Sequence, residues 1–115
     1  MRKSLDKLNL NTVKILCYDH NKDKIIDRAE RVFAFENAVD IIDGVAFHWY
    51  SGDHFEALDY LSKVYPDKDF FFTEGCVEYS CYRDKSSYEN AQRYAHDLIG
   101  DFAHGTNAMT DWNLL

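Results

Sequence analysis

Apolar positions along the chain alternate between helical and extended spacing. Leu5 and Leu8 share one side of a short helix predicted over residues 2–9. Val13, Ile15, Leu16 and Cys17 form a strand run that stops at Asp19-His20-Asn21. Ile25, Ile26, Ala29, Val32 and Phe33 then recur at helical spacing over residues 22–33. ENAV suits one further helical turn. GVAFHWY, residues 44–50, reads as a second strand. Asp53 with Glu56 fits a capping box, and Phe55, Leu58 and Leu61 give the face of a helix that ends near Pro66. Residues 69–74 form a third strand. Its aromatic run Phe70-Phe71-Phe72 lacks polar alternation, so both faces are expected to be buried. Ser86 and Glu89 make a second capping box. It opens a helix whose stripe of Ala91, Tyr94, Ala95, Leu98, Ile99 and Phe102 is expected to pack in the core. Gly105 suits the position just past that helix, and NAMTDWN a short fourth strand.

Helices and strands therefore alternate, which implies an α/β fold with a parallel sheet and right-handed crossovers. A small doubly wound sheet and part of a (β/α)₈ barrel both fit this order. The 115 residues suit one domain with a modest core, at 46% hydrophobic and 29% charged residues. A net charge of -7 and the lack of a basic stripe argue against nucleic acid as a partner. No run reaches the roughly 20 apolar residues of a membrane span. MRKSLDKLNL has a basic start without the apolar stretch of a secretory signal, and the compartment stays open. Cys17, Cys76 and Cys81 are too few for a disulfide framework, so free thiols are expected.

Functional-looking groups cluster where each strand ends. These are Asp19-His20-Asn21, then His48-Trp49-Tyr50, then Glu74, then Asp111-Trp112-Asn113. Parallel α/β folds place their sites at the carboxyl ends of strands, so the four groups should converge on one rim. A lone carboxylate ending an oily strand is ordinarily solvated or salt-bridged. One ringed by Trp, Tyr, His and Asn is a candidate site, and such a ring suits sugars, which offer C–H faces and hydroxyls. Cys76-x4-Cys81 lacks zinc-pair spacing and no H-x3-H pair occurs, so no metal or other cofactor is expected.

The stretches YDHNKD, DGVAFHWYSGDHFEAL, FFFTEGCVEYS and ENAQRYAHDLIGDFAHGTNAMTDWNLL resemble the glucosylceramidase-like members of glycoside hydrolase family 30. These are retaining β-glycosidases built on a (β/α)₈ barrel. The similarity runs from about Thr12 onward, with the motifs in the family's order. It implies that the strands are barrel strands five to eight, so that residues 1–115 form a single partial domain, the C-terminal half of the barrel. Glu74 matches the catalytic nucleophile. Trp49, Tyr50, Trp112, Asn113, Asp19 and His20 match positions around the sugar, with His48 in support. The resemblance also implies a β-linked sugar substrate and, as a partner, the missing N-terminal half-barrel. That half would carry the general acid/base, a glutamate in an Asn-Glu-Pro context with no counterpart here.

Retaining hydrolysis needs two carboxyl groups about 5–5.5 Å apart, one attacking the anomeric carbon and one handling protons. An ionised nucleophile needs hydrogen-bond donors around it. Tyr50 is the expected donor and His20 the second choice. Glu36 and Glu78 are the available second carboxyls, but neither ends a predicted strand. Two other readings stand beside a glycosidase fragment that is inactive alone. One is a non-catalytic carbohydrate-binding or partner-completing half-barrel. The other is an independent doubly wound domain for a phosphorylated ligand, which the absence of a G-x-G-x-x-G or P-loop motif weakens.

Overall fold

The computed structural model describes residues 1–77 and 85–112. Four parallel strands, β1 (Leu16–Asn21), β2 (Gly44–His48), β3 (Asp69–Glu74) and β4 (Ala108–Met109), lie side by side in chain order. Among the described residues five α-helices accompany them: α1 (Arg2–Lys7), α2 (Ile25–Phe33), α3 (Ala38–Ile41), α4 (Phe55–Val64) and α5 (Ser87–Ala103). The region expected as one helix over 22–33 opens instead with a 3₁₀ turn at Lys22–Lys24. Among the described residues no helix is long and apolar enough to cross a membrane.

Strand alternation sorts side chains onto two faces. Val45 pairs with Phe70, and Phe47 with Phe72, so these four share one face. They pack there against Ile25, Ala29 and Phe33 of α2 and Leu58 and Leu61 of α4. The Phe47 and Phe72 rings meet edge to face at 5.9 Å. The other face carries the row Ala46, Phe71 and Ala108, while Tyr18, at a bulge with positive φ, packs against the helix-side core. Phe71 is only half-buried, with the Lys14 ammonium 5.8 Å from its ring centre. The aromatic run of β3 is thus fully buried on its helix side alone, because no helix among the described residues covers the opposite face.

Two further expectations fail. The Asp53/Glu56 box does not form. His54, in a left-handed conformation, precedes α4 without a side-chain cap, while Asp53 accepts a 2.9 Å hydrogen bond from His96. The apolar stripe of α5 is core only at Tyr94, which packs on Trp49: Leu98, Ile99 and Phe102 are 39%, 66% and 45% exposed. The inward face of this helix instead buries Asp97 and Asp101. Their partner is Lys22, itself fully buried, whose ammonium lies 2.8 Å from Oδ1 of each and within 5.0 and 5.7 Å of the Phe55 and Phe47 ring centres. The Ser86/Glu89 box does form, with both reciprocal bonds present, and Gly105 takes a left-handed φ of 104° after α5.

Candidate active site

His48 follows Ala46 on the helix-free face, so its ring rises from the open side of the sheet at the carboxyl end of β2. The register slips after Phe47 and brings Glu74, the last residue of β3, level with it. His48 Nε2 then lies 3.8 Å from Glu74 Oε2 and 3.1 Å from Asp19 Oδ1. Asp19 reaches this point through a bulge. The β1 register shifts between Tyr18 and His20, and Tyr18 and Asp19 take positive φ values of 79° and 57°. Strain of this kind persists only where neighbours hold it. Here the Thr73 hydroxyl donates to Asp19 Oδ1 at 2.7 Å. That hydrogen bond, followed by the one from His48, holds the Asp19 carboxyl below the usual carboxylate range.

Tyr50 also stands beside Glu74. Its hydroxyl lies 3.5 Å from Cys76 Sγ, and the Glu74 carboxylate is near enough to bear on the phenol's acidity. Partial burial, then Cys76, then Glu74 push the phenol's pKa upward, so it stays a proton-bearing donor. Asn21 fixes the backbone here, accepting from the Tyr50 N–H at 3.2 Å.

The remaining expected residues are placed differently. The His20 ring stacks parallel to His48 at 6.3 Å, and its Nδ1 accepts from the Asn21 N–H, so it neighbours Glu74 through His48. Trp49 points to the helix side, one residue out of phase with His48. Only 8% exposed, it packs against Phe72 and Tyr94 and donates Nε1–H to the Cys76 carbonyl at 3.2 Å. Its ring shapes the floor under Tyr50 and Cys76. Trp112 is exposed, with its N–H bonded to the Gly75 carbonyl at 3.1 Å. Asn113, Glu78 and Cys81 lie outside the described residues. Glu36 is exposed in the turn after α2. Among the described residues no group of three His, Cys, Asp or Glu could hold a metal ion.

Sequence reasoning missed the Thr73 link, because a threonine before a glutamate carries no motif. Nor does the sequence show why Gly75 follows Glu74. A Cβ there would stand 2.2 Å from Cζ of Phe72, so the glycine makes space for that ring. Chemically, the arrangement offers one carboxylate at a strand end, flanked by a phenol, a thiol and an imidazole that is itself anchored to a second carboxylate.

Comparison with known proteins agrees with this picture. SrfJ from Salmonella typhimurium, a solved structure, is 40% identical and superposes with a TM-score of 0.89 over 98% of this chain and 25% of its own. An endo-β1,6-glucanase superposes with a TM-score of 0.73 at 24% identity, over 97% of this chain and 25% of its own, and shares the fold. A Caenorhabditis elegans protein provisionally named glucosylceramidase 3 is 33% identical over 90% of this chain and 20% of its own length. The mouse lysosomal acid glucosylceramidase is 27% identical over 89% of this chain and 21% of its own. The chain thus spans about a fifth to a quarter of the length of the proteins it matches. The glycosyl hydrolase family 30 TIM-barrel domain model matches residues 3–115. By this match over almost its whole length, and by the parallel sheet that carries Glu74 at a strand end, the chain belongs to glycosyl hydrolase family 30.

Proposed function

We propose that the chain is the C-terminal half of the catalytic barrel of a retaining β-glycosidase of the glucosylceramidase kind, a single partial domain of barrel strands five to eight. Glu74 is its nucleophile. In this reading the Glu74 carboxylate attacks the anomeric carbon of a β-linked sugar and displaces the leaving oxygen, forming a glycosyl-enzyme ester that water then hydrolyses. Tyr50, a proton-bearing phenol beside the carboxylate, is the donor of this reading, and His48, anchored on Asp19, lies 3.8 Å from Glu74. Asp19, His20, Trp112 and Asn113 border the sugar, while Trp49 shapes the floor. The acid/base carboxyl belongs to a strand outside these residues. The observation that carries the proposal is the place of Glu74: a partly exposed carboxylate at a strand's carboxyl end, on the helix-free face, between a phenol and an imidazole.

The 115-residue chain alone should not turn over aryl β-glucosides or β-xylosides, because general acid/base catalysis supplies typically about 10²–10⁴-fold and is missing. Turnover that Glu74→Gln abolishes would contradict this. The positive test joins residues 1–115 to the matching N-terminal segment of a relative. A 2-deoxy-2-fluoroglycosyl fluoride should then leave a covalent label on Glu74, read by peptide mapping. A label elsewhere, or inversion of anomeric configuration, refutes the assignment.

A further inference from the structure

A cleft of about 660 Å³ runs between the loop after β2 and the first half of α5. Tyr50 and Cys76 line it, and their side chains meet at 3.5 Å beside Glu74. The cleft therefore starts where the candidate nucleophile ends. We propose that it is a subsite for a second, uncharged sugar unit, joined to the one Glu74 would attack. The inference rests on that reading of Glu74.

The chemistry of the walls selects the class of occupant. The Tyr50 ring is 39% exposed and offers a stacking face. Gln92, Arg93 and His96 come from one side of α5, and Asp53 faces them from the β2 loop. The 2.9 Å contact between His96 and Asp53 bridges the two walls. An amide, a guanidinium and a carboxylate together supply donors and acceptors in the mixture that ring hydroxyls need. An acyl chain fits poorly. Trp49, the largest apolar residue of the lining, is sealed beneath Tyr94 and Arg93, and most of the other lining residues carry polar or charged side chains. An anionic sugar fits poorly too, because the Asp53 and Glu89 carboxylates share the wall with a single guanidinium, while Asp97 is buried against Lys22. The volume lies within the range of small-molecule sites and accommodates a sugar ring with its water.

The test is saturation-transfer NMR on the 115-residue chain, a measurement that tolerates self-association. The probes are a β1,6-linked glucose disaccharide, glucose, glucuronic acid and octyl β-glucoside. Saturation of both rings of the disaccharide is expected, with weaker signals from the other three. Gln92→Ala, on the exposed side of α5, and Arg93→Ala should each reduce transfer to one ring severalfold and leave the other ring's signal in place. Octyl glucoside or glucuronic acid saturating as strongly as the disaccharide would overturn the proposal. So would two-ring saturation unchanged in both variants, or no transfer at all. The covalent label reads Glu74 separately, so a failed subsite and a failed nucleophile give different results.

Discussion

At the scale of single residues, the Lys22 ammonium sits out of water between two carboxylates and two aromatic rings. Asp97 Oδ2 and Asp101 Oδ2 have no hydrogen-bond partner there. One cation cannot balance two buried anions. Burial first, opposed by Lys22 and reinforced by Asp97, pushes the Asp101 carboxyl up to about 7. Its folded value thus exceeds its ordinary one, near 4. The folded chain binds the extra proton between those values, so stability should fall as pH rises from about 4 to about 7. Asp101→Asn should flatten that slope in denaturant titrations at pH 5, 6 and 7; an unchanged slope would place the titration elsewhere. Gly75 makes a steric counterpart. Gly75→Ala drives a methyl into the Phe72 ring and should cost about 1–3 kcal/mol, as overpacking does. The additional Phe72→Leu change should recover part of that loss, measured as a non-additive double-mutant cycle of denaturant midpoints.

At the scale of elements, two identical-looking capping patterns gave opposite results. Ser86 accepts from the Glu89 N–H while Glu89 reaches back to the Ser86 N–H, so α5 has a cap built from its own sequence. Ser86→Ala should cost about 1 kcal/mol in chemical denaturation. Asp53→Ala should remove no helix cap, because Asp53 is bonded to His96 instead. The pattern is local, but whether it forms depends on what else a side chain can reach. The stripe of α5 carries the same lesson. Periodicity located Leu98, Ile99 and Phe102 on one side of a helix, yet not which side meets the sheet. Tyr94, Asp97 and Asp101 at three- and four-residue spacing meet it, and only the lysine arriving from the end of β1 makes that placement tolerable. That spacing was present in the sequence, but without Lys22 beside it two aspartates read as solvent-facing.

At the scale of the whole molecule, among the described residues the sheet has two open edges, β1 and β4, and one face that no helix covers. Phe71 is half-open on that face, and Leu98, Ile99 and Phe102 stand exposed on the helix side. Exposed strand edges and apolar surface favour association with other chains. Sedimentation of the isolated chain at micromolar concentration should therefore show self-association. A compact, cooperative monomer would argue for a domain complete in itself and against a half-barrel.

Alternation of helical and extended periods was sufficient for the parallel α/β class, the succession of elements along the chain and the strand-end position of Glu74, because each depends on spacing along the chain, whereas the order of strands in the sheet came from the fold. The motifs around YDHNKD, HWYSGD, FTEGC and TDWN carried the family for the same reason. Tertiary structure decided the rest. The register slip that levels His48 with Glu74, the bulge that brings Asp19 to Thr73, and the rotation that buries Trp49 beside its neighbour His48 all depend on contacts between strands. The ionic cluster of Lys22, Asp97 and Asp101 joins residues 75 and 79 positions apart. Periodicity records which residues share a face. It does not record what that face will meet, and the energy of a buried charge is fixed only by that meeting.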